Sequence, residues 1–437
     1  MKRCVEARLA QIFPFTDPVA AEITPPTQFV RGDGVRVVDA DGKSYIDAVS
    51  ALWCASLGFS PERLARAMAD QMGKLAYYHS FMGRTPEVAD QLAARLVARL
   101  PGMERVFFGT SGSEAVETAS KFVRYYWNAK DRPQKKRIIS REGAYHGSGQ
   151  MSAALTGLTY CHDGFDLPLD EVLRTGRPHY LRDAEPGESE ADFSKRRARE
   201  LDALISAADP ETVGAFIGEP AMGAGGVILP PDGYWAEIQN VLTKHDVLLI
   251  ADEIICGFGR TGEWFACETY DIRPDMMTLA KQLTASVFPM SAVAVSEKVY
   301  EAIEALGGKN GTLGHGVTYG GHPVGAAVAL ECLDIYEEMD LPAHVGRLGN
   351  LIADGLAPLR DAPGVLDVRH NGMLAAVEFN TDALARAVGE EAERLGVFFR
   401  IIGSVLAIAP PYICTDADIE EITSVMRKAV EAQTVPQ

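Results

Sequence analysis

The sequence predicts an α/β protein: a large domain with a mostly parallel sheet flanked by helices, joined to a smaller domain. Five short apolar runs, at residues 105–108, 137–140, 214–218, 247–251 and 276–280, do not alternate as half-exposed strands do. Continuous runs of this kind suit strands covered on both faces. Helical patterns separate them. After Ser113, apolar residues fall at Ala115, Ala119, Phe122, Val123 and Tyr126, and after Gly233 at Tyr234, Ile238, Val241 and Leu242. Both sets follow a 3.6-residue period. Strand and helix in alternation imply an open sheet with crossover helices. A chain of 437 residues is too long for one small core and implies two domains.

Each run is followed by polar residues. Ser111-Gly112-Ser113 follows the first, Tyr145-His146 the second, Glu219 the third, Asp252 the fourth and Lys281 the fifth. Open α/β sheets bind ligands outside the carboxyl ends of their strands, so five strand ends delivering polar groups to one edge define a candidate site. At the first, Gly112 lets the backbone approach an anion, and the start of the next helix supplies free N–H groups with a favourable dipole. Ser113 adds a hydroxyl, although Ser followed by Glu114 also fits an ordinary helix cap. Tyr145, with His146 and Gly147, offers a ring for stacking or for the core.

The last two strand ends carry the most information. A charge closing a buried strand is costly unless it has a partner or a task. Lys281 lies 281 − 252 = 29 residues after Asp252. Taken singly, Lys281 reads as a surface lysine and Asp252 as a turn carboxylate. Together they suit a cofactor that needs one covalent anchor and one counter-charge, and pyridoxal phosphate is such a group. An anion about 4 Å from a protonated ring nitrogen, at an effective dielectric near 20, gives roughly 4 kcal/mol of attraction before desolvation.

Three other stretches complete the pass along the chain. Gly257-Phe258-Gly259-Arg260-Thr261-Gly262 satisfies the dinucleotide pattern, but Glu263-Trp264-Phe265 follows it and the next strand ends in Lys281 rather than an acid. A true fingerprint opens a helix directly, so nicotinamide binding is not expected. Residues 183–200 are dense in charge and read as a solvated loop entering an exposed helix. From Gly325, apolar residues at Ala326, Ala327, Ala329, Leu330 and Leu333 predict a helix leading into the smaller domain.

Composition narrows the function classes. Net charge is −18, from 42 basic and 60 acidic residues, which argues against a nucleic-acid partner. No apolar run reaches the length of a transmembrane helix, so no membrane partner is expected. Residues 1–8, interrupted by Glu6 and Arg8, do not read as a secretory signal. Seven scattered cysteines without a Cys-x-x-Cys pair point to a reducing cytoplasm, and the nine histidines lack metal-site spacing, so no metal is expected.

At this point the residues resemble a known family. Residues 248–262, followed by Pro274-Asp275 and Ala280-Lys281, are similar to the class III aminotransferases, in the fold-type I group of pyridoxal phosphate enzymes. Supporting matches are residues 107–114, 144–148, 218–220, 223–227 and 317–323, and the resemblance covers nearly the whole chain. It implies a large cofactor-binding domain at 61–324 and a smaller α+β domain from residues 1–60 and 325–437. It implies that Lys281 forms the Schiff base with pyridoxal 5′-phosphate and that Asp252 pairs with the ring nitrogen. Gly112 and Ser113 hold the phosphate, and Thr318 reaches the phosphate in the other subunit. Tyr145 and Ile254 sandwich the ring, His146 accompanies Tyr145 as a cofactor residue, and Glu219 lies near it. A homodimer with shared active sites follows.

Within the family the chain is most similar to ω-amino acid and amine:pyruvate transaminases. Leu52-Trp53-Cys54, Tyr78-His79-Ser80-Phe81 and Arg400-Ile401-Ile402-Gly403 match segments lining their substrate pocket. The resemblance thus assigns Trp53, Phe81, Tyr145 and Arg400 to substrate, an amine donor and a 2-oxo acid acceptor. Freed Lys281 acts as general base, and Arg400 grips the carboxylate of pyruvate and swings away for an uncharged amine. Ala224 stands where relatives acting on ornithine or 4-aminobutyrate typically carry Glu. Gln282 replaces a usual Gly, Gly320 a frequent Ser and Ser404 a frequent Asp, departures that bear on substrate range more than on cofactor use. A decarboxylase, aminomutase or racemase of the same fold is the alternative.

Overall fold

Seven strands form the central sheet of the computed structural model, which describes residues 10–434. The expectation placed on residues 1–8 lies outside these residues. In spatial order the strands are Arg105–Gly109, Ser291–Val295, Met276–Leu279, Leu248–Asp252, Val213–Gly218, Arg137–Arg141 and Val172–Thr175. All run parallel except Ser291–Val295, which is antiparallel to both neighbours. The five strands read from the sequence are present, with ends shifted by a residue or so.

The continuous apolar runs have a direct cause. Along Leu248–Asp252, Leu248 and Ile250 pack in one core with Ala119, Phe122 and Val123 of the helix Gly112–Ala129. Leu249 and Ala251 pack in the other core with Tyr234, Ile238 and Leu242 of the helix Tyr234–Lys244. Side chains alternate between faces, and both faces are dry, so residues 248–251 are all apolar. Each fully buried Leu or Ile contributes roughly 1.5–3 kcal/mol. The Asp252 register follows from this packing: Ile250 lies opposite Met276 and Asp252 opposite Thr278.

Two strands of this sheet were not predicted. Val172–Thr175 is a short, incompletely buried edge strand. Ser291–Val295, Ser-Ala-Val-Ala-Val, is fully buried yet small in side-chain volume, and it runs against the others. The expectation for residues 183–200 also needs correction. The helix Glu190–Ala207 buries Phe193, Ser194, Ala198, Leu201 and Ile205. Its charges are paired on the flank, Arg196 with Glu188 and Glu200, and Arg197 with Asp183 and Glu200. The segment is amphipathic rather than solvated all round.

Two smaller sheets flank the site. Phe29–Asp33, Arg36–Asp39 and Ser44–Asp47 form an antiparallel meander, and Val397–Phe398 adds to it in parallel. Val365–Asn371, Leu374–Phe379, Val405–Ile408 and Arg400–Ile402 form the second, antiparallel throughout. The helix Pro323–Glu338 starts at the predicted place, with Pro at its first turn and His322 Nδ1 accepting from the Val324 N–H at 3.2 Å. Among the described residues no helix is long and apolar enough to cross a membrane.

Candidate active site

A cavity of about 270 Å³ opens at the carboxyl ends of the strands, lined by Gly112, Ser113, Tyr145, Asp252, Ile254 and Lys281 among others. The strand Met276–Leu279 delivers Lys281 two residues past its end, where a positive φ of 49° turns the chain into a tight helical turn, Lys281–Thr284. Enclosure of the amine pushes its pKa below the ordinary lysine value, opposed in part by Cys54, Asp252, Cys256 and Glu219.

Asp252 is 2% exposed and every oxygen is engaged. Its Oδ2 lies 2.7 Å from His146 Nδ1, and its Oδ1 accepts from Thr278 Oγ1 at 3.1 Å and from the Ile254 N–H at 3.2 Å. A carboxylate only accepts, so the His146 proton sits on Nδ1. His146 lines the same cavity, and its ring is held against Asp252. Its buried Nε2 has no partner among the described residues.

Glu219 closes the neighbouring strand. Its Oε1 accepts the Tyr145 N–H at 3.2 Å, and its Oε2 lies 3.3 Å from Arg141 Nη2. Arg141 is fully buried, and the same Nη2 donates to the Glu219 carbonyl at 2.5 Å. One buried ion pair therefore sets the backbone of Tyr145. Arg141 was missed in the sequence, although the rule that singled out Asp252, a charge closing a buried run, applies to it equally.

The opposite wall is built for an anion. Ser111, not Ser113, caps the helix Gly112–Ala129, accepting from the Glu114 N–H at 3.2 Å. Glu114 in turn accepts from the Thr110 hydroxyl at 2.6 Å. The capping reading is thus satisfied without Ser113, and the first-turn N–H groups of Gly112 and Ser113 have no acceptor within the helix. Two glycines make room. A Cβ on Gly112 would come within 2.9 Å of Ile254, and one on Gly147, at φ 130°, within 2.6 Å of Ser113 Oγ. Amine, anion, flanking side chains and first-turn donors fit a flat pyridine ring bearing an aldehyde and a phosphate.

A second cavity of about 760 Å³ adjoins the first, shares Tyr145, Ile255 and Lys281 with it, and is also lined by Trp53 and Arg400. Trp53 is buried, with the Arg400 guanidinium 5.7 Å above its ring. Ala224 and Ser404 line this cavity, and Ser404 Oγ accepts from Arg182 at 3.2 Å. Phe15, which no sequence signal marked, lines it too and meets Tyr145 edge-on at 6.4 Å.

Two predicted residues lie elsewhere. Phe81 and Thr318 are exposed and line neither cavity. They sit on loops packed together: the Phe81 ring abuts Gly316, and the Thr318 carbonyl accepts from the Tyr77 hydroxyl at 2.8 Å. Gly320 in the same loop is forced, since a Cβ there would lie 2.6 Å from the Phe108 carbonyl. The glycine decoy is also explained. Gly259, at φ 102°, packs on Leu341, and Arg260 is buried and donates to the Pro410 carbonyl at 2.8 Å, so the loop joins structural units and opens no long helix.

Comparison with known proteins agrees with this geometry. The family description Aminotransferase class-III matches residues 19–430. An uncharacterised aminotransferase of Sinorhizobium fredii is 43% identical, covering 96% of this chain and 94% of its own. A chloroplastic gamma aminobutyrate transaminase of Solanum lycopersicum is 42% identical, covering 96% and 83%. Among solved structures, an omega transaminase of Pseudomonas jessenii in complex with PMP superposes with a TM-score of 0.96 at 43% identity, over 97% of this chain and 96% of that one. A variant of the thermostable form, with a Trp, a Phe and an Arg replaced, is described as engineered for asymmetric synthesis of enantiopure bulky amines.

Proposed function

The chain belongs to the class III aminotransferases and its cofactor is pyridoxal 5′-phosphate; from that premise, we propose that it moves an amino group from an ω-amino acid or amine donor to pyruvate, releasing alanine. The observation that carries the reading is the Arg400–Trp53 pair in the cavity that opens on Lys281. Among the described residues no carboxylate forms an ion pair with Arg400, so its guanidinium is free for a substrate carboxylate, held by a bidentate pair. The apolar face of Trp53 offers the same space to an uncharged amine once Arg400 moves aside. The engineered relative supports this. Its replaced Trp and Phe are 28 positions apart, as are Trp53 and Phe81 here, and its third replaced residue is an Arg.

The bound cofactor supplies an aldehyde for the incoming amine and a protonated ring that withdraws electrons. Lys281, its pKa lowered by enclosure, takes the proton from the donor carbon next to nitrogen and returns it during transfer. Asp252, fixed by His146 and Thr278, would keep the ring nitrogen protonated. Tyr145 and Ile254 would hold the ring, and Gly112 and Ser113 would bind the phosphate. Phe81 and Thr318 act in the site of a second copy, which accounts for a patch that exposes Tyr77, Tyr78, Phe81, Met82 and Tyr319 together. A homodimer with shared sites, in a cytoplasmic setting, completes the proposal.

The test is a donor panel with pyruvate, including β-alanine, 4-aminobutyrate, a diamine and an aromatic amine, with alanine as the readout. Alanine formed from at least one donor is expected. Glutamate formed from 2-oxoglutarate with no alanine from pyruvate overturns the acceptor, and carbon dioxide release without any acceptor favours the decarboxylase.

A further inference from the structure

Gln282 follows Lys281 directly and is fully buried. Its side-chain nitrogen donates twice, to the Trp53 carbonyl at 2.9 Å and to the Ile255 carbonyl at 3.0 Å. Its own backbone carbonyl accepts from the Tyr336 hydroxyl at 2.8 Å, and that oxygen lies 2.7 Å from Ser56 Oγ. The opposite amide orientation would set Oε1 against two carbonyl oxygens, so the neighbours determine which end is nitrogen. Oε1 itself is buried without a partner among the described residues. The two donated bonds are evidently the reason for a primary amide at this position.

Those bonds reach a segment that needs support. Ser50, Ala51 and Trp53 all have positive φ, at 51°, 60° and 58°. Non-glycine residues hold such conformations only where surrounding contacts over-determine them. Trp53 and Ile255 both line the larger cavity, and Lys281 opens on it as well. One side chain thus joins the wall of that cavity to the backbone next to the reacting amine. A glycine at this position would make none of these side-chain bonds. Methionine has similar length and no donor.

We infer that Gln282 is a positioning residue that holds the Trp53 wall at a set distance from Lys281 and thereby limits the size of the amine donor. It touches neither substrate nor cofactor. The inference rests on the reading of the larger cavity as the amine pocket.

The test uses Gln282→Met and Gln282→Gly, each loaded with cofactor. Hydrogen–deuterium exchange of the peptide covering residues 50–57 is measured without substrate. Loss of both bonds is expected to raise its exchange rate about tenfold or more. Separately, cofactor absorbance follows the single-turnover half-reaction with isopropylamine and with the bulkier 1-phenylbutylamine, which needs no acceptor. The ratio of rate over half-saturation concentration, bulky to small, is expected to rise about tenfold. Unchanged exchange in both variants overturns the tie. Raised exchange with equal losses for both amines overturns the role in selectivity and leaves a structural bond. Should Gln282→Met fold poorly, the glycine variant carries both readouts. A wild-type enzyme that completes the half-reaction but makes no alanine from pyruvate refutes the proposed acceptor, and the exchange and amine ratios still decide the role of Gln282.

Discussion

The floor of the site and its walls are built in opposite ways. On the floor, Arg141, His146, Glu219 and Asp252 lie at or just past the ends of adjacent strands, and none is more than 3% exposed. Each is bonded to another member or to the strand beside it. The walls come from segments far apart in sequence. Trp53 stands on a backbone of positive φ, and Arg400 is exposed on a three-residue edge strand. A floor group thus cannot move without breaking a buried network, whereas the Arg400 side chain is exposed and forms no ion pair among the described residues.

This contrast is open to direct attack. The largest effect is expected from Asp252→Asn, which keeps the shape of the floor and removes its anion. Cofactor should stay bound while the single-turnover amine half-reaction slows by about 10²–10³-fold. A near-wild-type rate would mean that ring protonation is controlled elsewhere. Arg400→Ala should then act on the walls alone, raising KM for pyruvate by about 10–100-fold and leaving KM for an uncharged amine within a few-fold. Equal changes for both substrates would remove Arg400 from carboxylate binding. His146→Phe should have a smaller effect, since His146 meets the site only through Asp252. A loss of about tenfold in the half-reaction is expected, and none when Asp252→Asn is already present, because the two changes remove one interaction.

The last effect concerns the floor's stability rather than its rate. Glu253, next to Asp252, is buried with Oε1 accepting the Cys267 N–H at 2.7 Å and Oε2 unpartnered among the described residues. Burial pushes its pKa up to about 7. The folded protein therefore keeps a proton that the unfolded chain releases near pH 4.5, so stability falls as pH rises from 4.5 to 7 and stays reduced above that. The loss amounts to about 3 kcal/mol. Glu253→Gln should abolish this part of the pH dependence, read as urea unfolding midpoints at pH 5 and pH 8. An unchanged difference between the two pH values would show that Glu253 is not the group responsible.

Legibility in the sequence follows the same division. Leu248–Asp252 and Met276–Leu279 could be read because both of their faces are dry, which forces unbroken apolar runs. Asp252 and Lys281 could be read because a charge closing such a run is expensive. Ser291–Val295 was hidden by its small alternating residues, and the packed face of Glu190–Ala207 was hidden by its charges, although Phe193, Leu201 and Ile205 keep a helical spacing. Interactions of the floor were hidden for another reason. His146 meets Asp252 across 106 residues, and Gln282 meets Trp53 across 229. No local pattern encodes such pairings. The places of Phe81 and Thr318 were beyond any reading of one chain's periodicity, because nothing in a single copy brings them to its own cavity.

Everything proposed for this site depends on the strand end bearing Lys281 supplying the covalent anchor of the cofactor, opposite the anion of Asp252. The most direct measurement is borohydride reduction of the loaded enzyme, followed by peptide mapping of the trapped cofactor. A single modified peptide with the label on Lys281, absent in Lys281→Ala, is expected. A label on another lysine, or a cofactor that borohydride does not trap at all, would contradict it.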